Sequence, residues 1–347
     1  MLPSRTLTLS SYCEEGLPSA SNFTIVDTVV DSTNLPEGCL LLRALYFSAD
    51  PYLRMAVRSG RPSSVQLNQP MSGFISGRVE SSTIEGWTKG DLFGGALPFS
   101  TLQIVTSTSL KKTAFWKLTD VITEDELSYG IGALGMPGAT AWGGLVDVLR
   151  PLKDETLLIT AASGAVGQLV GQIAKARGCR VIGTAGGPVK CALLLDKFGF
   201  DVAIDHKAAT TPADLEKAIR EAAPKGLSMV FENVGTTTFE CAFRCLGVGG
   251  RIAVCGAIAA YNEKKPILCT IDPSAMIYTA QRIEGFVSTP WLTGQRGGGE
   301  WLREISSGIK NGTIKIQETR FDGIEKWPEA FASLFTGANI GKVVVCV

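Results

Sequence analysis

The sequence predicts an α/β protein in which a parallel sheet, covered by helices on both faces, is set inside a β-rich region. Three observations carry this. From about residue 131 to 300, short apolar runs alternate with helix-length amphipathic segments, the pattern of a parallel sheet. Residues 1 to about 130 hold short β-prone runs broken by turn residues. A brief helix and a strand then close the chain.

Taken in order, "FTIVDTVV", "CLLLRALYF", "FISGRVESS" and "TLQIVTSTS" suggest a compact, largely antiparallel or barrel-like β domain. The runs at 156–161, 180–184, 201–205, 228–232, 251–256 and 282–287 read as buried strands. Between the first two lies "GAVGQLVGQIAKARG". Val166, Leu169, Val170, Ile173 and Ala174 fall on one face of it, and Gly178 stops it. In "TTPADLEKAIREAAP", Thr211 caps a second helix, Pro212 suits its first turn and Asp214 completes a capping box. A helix with Trp301, Leu302, Ile305 and Ile309 follows, then a strand at "TIKIQE", a Pro-started helix at "PEAFASLF" and a closing strand at "GKVVVCV".

Composition narrows the function. The chain has 347 residues, enough for more than one domain. Lysine plus arginine equals aspartate plus glutamate at 33 each, so charge gives no case for nucleic acid or an anionic membrane. No apolar run is long enough to span a bilayer, and the N-terminus lacks a secretory h-region. Nine scattered cysteines, an odd number, suggest reduced thiols and a cytoplasmic protein. Cys241 and Cys245 share a helix face and read as small core residues. His206 is the only histidine, so a thiolate-and-imidazole zinc site is not expected, nor is a Ser-His-Asp nucleophile; no metal is predicted. Tyr261 and Lys265 stand four apart, but Pro266 disfavours the helix such a catalytic pair would need.

The stretch "AASGAVGQ" follows a predicted strand and opens a predicted helix. Against the dinucleotide pattern Gly-x-Gly-x-x-Gly it has Ala162 for the first glycine and keeps Gly164 and Gly167. Gly164 would let a pyrophosphate approach the backbone, and Gly167 would let the helix lie close to its strand. The free amides and positive dipole end of the helix would face the phosphates. The next strand then lacks the acid that usually holds the adenine ribose. It ends in Gly183 and Thr184, followed by two glycines, a proline and Lys190. A carboxylate there would repel a 2′-phosphate; small residues leave room for one and Lys190 can neutralise it. NADPH is therefore expected over NADH.

"SADPYLRM", "PMSGFISGRV", "LGMPGATAW", the loop with its helix, "FGFDVAIDHK", "FENVG", "GRIAVCGAIAAYN" and "FTGANIGKVVV" cover most of the chain in order. Together they resemble the zinc-free prostaglandin reductase (leukotriene 12-hydroxydehydrogenase) and alkenal double-bond reductase family of the medium-chain dehydrogenase/reductase superfamily. The resemblance implies a Rossmann domain inserted in a GroES-like domain, with boundaries at 1–130, 131–302 and 303–347. It matches Gly164, Ala165, Val166 and Gly167 to the pyrophosphate loop and Lys190 to the 2′-phosphate lysine. His206 stands where relatives often carry a tyrosine against that phosphate. Asn233 matches a cofactor-contacting asparagine. Cys255, Gly256, Ala257, Ile258, Ala259, Ala260 and Tyr261 match the segment beneath the nicotinamide ribose, and Phe286, Val287 and Ser288 the strand end facing the carboxamide. Asn339 matches a cofactor contact from the C-terminal part, and Tyr52 an aromatic lining the substrate cleft. A homodimer acting on a small-molecule enone or alkenal is implied.

Tyr261 is the expected catalytic residue. Hydride addition to the β-carbon of an α,β-unsaturated carbonyl puts charge on the carbonyl oxygen, which a phenol O–H can stabilise. The activity expected is NADPH-dependent reduction of that double bond, of the 15-oxoprostaglandin 13-reductase or 2-alkenal reductase type. A quinone reductase on the same scaffold is the alternative, and a non-enzymatic NADPH-binding protein of the crystallin or RNA-associated sort is a third reading.

Overall fold

The computed structural model describes all of residues 1–347, which divide into two compact units: Met1–Met136 with Glu318–Val347, and Pro137–Gln317. In the first, β1 (Leu2–Leu9) and β2 (Phe23–Val30) form an antiparallel pair. The strands β3 (Cys39–Ser48), β4 (Ser72–Ser82), β5 (Leu92–Pro98), β6 (Leu102–Thr106) and β7 (Phe115–Lys117) contribute to a larger sheet. Their alternating apolar residues meet in a core that includes Leu40, Leu42, Ile75, Val79 and Phe93.

The second unit carries six parallel strands: β8 (Thr156–Ile159), β9 (Arg180–Ala185), β10 (Val202–Asp205), β11 (Leu227–Glu232), β12 (Leu246–Val254) and β13 (Arg282–Gly285). Their spatial order is β10-β9-β8-β11-β12-β13, the Rossmann order, which reverses direction beside β8. The connecting helices include α1 (Gly167–Ala176), α2 (Pro188–Asp196), α3 (Pro212–Ala222), α4 (Thr236–Arg244) and α5 (Pro273–Thr279). Thr211 caps α3, its hydroxyl accepting from the Asp214 amide at 3.2 Å, an arrangement worth about 1 kcal/mol. Cys241 and Cys245 are buried in the core beneath α3 and α4.

After α6 (Glu300–Lys310) the chain returns to the first unit as β14 (Glu318–Asp322), α7 (Trp327–Thr336) and β15 (Lys342–Cys346). β15 lies between β14 and β3 and pairs antiparallel with β3, so the larger sheet has six strands along its main path, and β6, added on β3, makes the seventh. Trp327 packs on Phe99 and donates its indole N–H to the Ser48 carbonyl at 3.0 Å. Lys342 is buried at the start of β15. Its ammonium donates to Ser48 Oγ at 2.7 Å, the Ala49 carbonyl at 2.8 Å and Asp50 Oδ1 at 2.9 Å.

Three readings of the sequence differ from the structure. The run 282–287 was expected to be a buried strand, but β13 is an edge strand whose side chains are mostly exposed. The expected strand "TIKIQE" bends at Thr313 and Ile314 and runs unpaired to Gln317, and strand pairing begins only at Glu318. Side chains replace the ladder there. Gln172 Oε1 accepts the Lys315 amide at 2.7 Å, and Gln168 Oε1 accepts the Gln317 amide at 2.8 Å. These bonds also hold 303–317 with the second unit, whereas the sequence reading put that stretch in the C-terminal return.

Candidate cofactor and catalytic site

The loop between β8 and α1 is shaped by close approach. Ala161 takes a left-handed φ of 48°, and the Ala162 amide donates to the Thr184 carbonyl at 2.9 Å, tying the loop to β9. A Cβ on Gly167 would stand 2.7 Å from the Ala161 carbonyl oxygen and from Ala162 Cα, so only glycine lets α1 start this close to its strand. The amides of Ala165, Val166 and Gly167 carry no backbone partner at the positive end of α1. Such a cradle fits a pyrophosphate.

At the end of β9, no carboxylate occupies Ala185, Gly186 or Gly187. A Cβ on Gly186 would lie 3.0 Å from Lys207 Cε and 3.1 Å from His206 Nε2, so both side chains close over this glycine. Burial, and then Lys207, hold the Lys190 ammonium below its ordinary pKa. The His206 imidazole is lowered chiefly by burial, with Lys207 and Lys190 adding to it and Asp205 opposing. Three basic groups thus share one electrostatic neighbourhood beside a glycine. The Asp205 carboxylate accepts from the Gly187 amide at 2.8 Å and the Lys207 amide at 2.9 Å, which holds it in its charged form. The arrangement suits a dianionic 2′-phosphate. Lys207 was missed in the sequence; "DHK" contained the signal, but only the β9–β10 pairing brings it to Gly186.

The strand ends of β11 and β12 build a second floor. The Asn233 backbone amide donates to Thr160 Oγ1 at 2.8 Å, and its side-chain Nδ2 donates to the Thr160 carbonyl at 2.7 Å. The Ile258 amide donates to the Asn233 carbonyl at 3.2 Å and the Ala259 amide to Val234 at 3.1 Å. Cys255 to Tyr261 is therefore laid along Asn233–Val234. Tyr261 turns back over this segment. Its hydroxyl accepts from the Ala257 amide at 3.2 Å, and a Cβ on Gly256 would stand 3.3 Å from it. Burial raises the phenol above its usual pKa, so it stays protonated and able to donate at neutral pH.

Phe286 follows β13 but turns inward, edge-on to Phe231 at 5.9 Å and to Trp291 at 5.8 Å. Val287 is 68% exposed, and Ser288 precedes a short helix. Tyr52 and Asn339 belong to the first unit. Tyr52 sits exposed on a short 3₁₀ segment, Pro51–Met55, directly after Asp50, and Asn339 Nδ2 donates to the Gly341 carbonyl at 3.1 Å. No three His, Cys, Asp or Glu side chains come together as a metal site would require.

Residues 165–293 match the zinc-binding dehydrogenase family, and residues 5–113 the family described as the N-terminal domain of oxidoreductase. Rat (Rattus norvegicus) prostaglandin reductase 1 is 36% identical over 346 residues, 99% of each chain. The NADP(+)-dependent 2-alkenal reductase of Nicotiana tabacum is 36% identical, with 96% of this chain and 94% of that one covered. The NADPH-dependent curcumin reductase of Escherichia coli is 35% identical at the same coverage. Among solved structures, CurA in complex with NADPH from Vibrio vulnificus matches with a TM-score of 0.86 and 32% identity over 99% of both chains. With similarity along its whole length, the chain belongs to the zinc-free prostaglandin reductase and alkenal double-bond reductase family of medium-chain dehydrogenase/reductases.

Proposed function

We propose that the protein reduces the carbon–carbon double bond of α,β-unsaturated ketones and aldehydes with NADPH. Membership of the family makes it an NADPH-dependent oxidoreductase of enones and alkenals; the finer reading concerns residues and substrate. The observation that carries it is Tyr261, a protonated phenol fixed on the segment laid along Asn233, in the same unit as the phosphate cradle.

The cradle of Ala165, Val166 and Gly167 amides holds the pyrophosphate, and Lys190, Lys207 and His206 hold the 2′-phosphate. Asn233, the 255–261 segment and Phe286–Ser288 line the nicotinamide end. NADPH, when bound, supplies hydride to the β-carbon of the substrate. The Tyr261 hydroxyl, oriented by the Ala257 amide, donates a hydrogen bond to the carbonyl oxygen as charge develops on it, and the enolate takes a proton from solvent water at the α-carbon. Tyr52 and Asn339 take their substrate and cofactor roles from the family resemblance. Substrates of the 15-oxoprostaglandin and 2-alkenal type fit this chemistry, and the reaction needs no metal.

We also propose a homodimer in the cytoplasm. The open edge β13 and the exposed Leu268, Ile277 and Tyr278 on the segment leading to it offer strand pairing and apolar area to a second copy. Nine free thiols fit a reducing compartment, which cell fractionation checks. No helix is long and apolar enough to cross a membrane. The test of function is a panel of enones, alkenals and quinones with NADPH, read as cofactor oxidation with identification of the reduced product. Turnover of quinones alone would overturn the reading.

A further inference from the structure

Glu232 ends β11 with its side chain fully buried, and the proposed mechanism gives it no task. One carboxyl oxygen, Oε1, accepts the amides of Val234 and Gly235, both at 2.7 Å. The other, Oε2, is buried with no hydrogen-bond partner. The backbone carbonyl of the same residue accepts from Cys255 at 2.8 Å and from Gly256 at 3.2 Å. Glu232 therefore fastens both segments that form the nicotinamide floor: the side chain holds 233–235 and the main chain holds 255–256.

An ionised carboxylate with one oxygen buried and unpaired is costly, whereas a carboxylic acid can keep its proton on that oxygen and still accept two amides through the other. The neighbours supply no cation to offset a charge. β8 leads to the Thr160 hydroxyl, which accepts the Asn233 amide and itself pulls the carboxyl toward ionisation, and β12 leads to the Cys255 thiol; the amides at 235 and 234 are the stronger pull. Burial outweighs that pull and pushes the Glu232 carboxyl up to about 7.

The next strand over, β8, opens into the phosphate cradle, and Asn233 is bonded to Thr160 at its root. A pyrophosphate held there brings negative charge toward Glu232, which disfavours the carboxylate.

We propose that Glu232 is a positioning residue that works as a neutral acid: NADPH binding completes the protonation of its carboxyl from solvent, and the protonated side chain keeps the Asn233 loop and the Cys255–Tyr261 segment in register beneath the nicotinamide. The inference rests on the assignment of the 162–167 loop to the pyrophosphate. Because the bound state holds more protons than the free state, affinity must fall as pH rises.

The test is calorimetric titration of NADPH into the full-length protein from about pH 6.5 to 9, in buffers of differing ionisation enthalpy, so that affinity and proton uptake are read together. The dissociation constant of the unmodified protein is expected to rise roughly threefold or more between about pH 7 and 9, with a fraction of a proton taken up per NADPH. Glu232→Gln carries a permanently neutral side chain that still accepts both amides. It is expected to match the unmodified protein near pH 6.5 and to lose this share of the uptake and of the pH dependence. Contributions from Lys190, His206 and the 2′-phosphate are common to both proteins and cancel in the difference. An infrared difference spectrum of the unmodified protein at about pH 8 should gain a protonated-carboxyl band on NADPH binding, which keeps the test independent of how the variant folds. Equal proton uptake in the two proteins, or no such band, overturns the role of Glu232 while leaving the cofactor site standing. Absence of NADPH binding at every pH would overturn the site and this inference together.

Discussion

Gly186→Asp puts an acid where NADH-binding chains of this fold carry one, and its consequence follows from the geometry. Gly186 does not have a positive φ, so the backbone accepts a side chain. The new Cβ would meet Lys207 Cε at 3.0 Å and His206 Nε2 at 3.1 Å, both ends of movable side chains that yield by tenths of an ångström. The aspartate then occupies the ground assigned to the 2′-phosphate. Losing one charge-assisted contact costs about 1.5–3 kcal/mol, which raises the NADPH dissociation constant roughly ten- to hundredfold. Repulsion between carboxylate and phosphate adds to this; at about 0.1 M salt the screening length of about 10 Å leaves charges this close largely unscreened. NADH carries no 2′-phosphate, and its ribose hydroxyls can donate to the new acid, so its affinity should hold or improve. Tryptophan fluorescence quenching, titrated with each cofactor, gives both constants. A ratio of NADPH to NADH affinity unchanged from the parent would refute the placement of the 2′-phosphate among Lys190, His206 and Lys207.

Other outcomes follow from the same structure. Tyr261→Phe keeps the ring and removes the donor, so single-turnover hydride transfer should slow about a hundredfold while NADPH affinity stays near the parent value; an unchanged rate would make Tyr261 a packing residue. Activity should survive exhaustive chelation, and a loss reversed only by added zinc would contradict the metal-free mechanism. Tyr278→Glu places a charge on the segment leading into the β13 edge and should move the sedimentation coefficient from dimer toward monomer; a parent protein that sediments as a monomer would remove the dimer proposal.

What the sequence disclosed depends on how local each feature is. The Thr211 cap, the stop at Gly178 and the two glycines of the phosphate loop are legible because their causes lie within a few residues. The edge position of β13 is not, since periodicity reports a strand's faces but not its neighbours. Lys207 resembles any surface lysine until β9 and β10 lie side by side. "TIKIQE" alternates like a strand, yet its amides find Gln168 and Gln172, whose side chains imitate a neighbouring strand from inside a helix. For Glu232, the quoted "FENVG" drew attention to the asparagine, because an unpartnered oxygen is a property of everything packed around it.

Lys342 bears on the order in which the polypeptide can be completed during synthesis. The residues 137–317 form one uninterrupted stretch, so all of that unit's chain is available while the tail is still being made. The other unit is different. Its sheet is missing a member between β14 and β3 until 342–346 emerges, and Asp50, 3% exposed, has no ammonium partner until Lys342 arrives from 292 residues downstream. Leaving one member of a buried ion pair alone costs about 3–5 kcal/mol. The unit 137–317 is thus built from one continuous stretch, whereas the sheet of the other joins the residues translated earliest to those translated last.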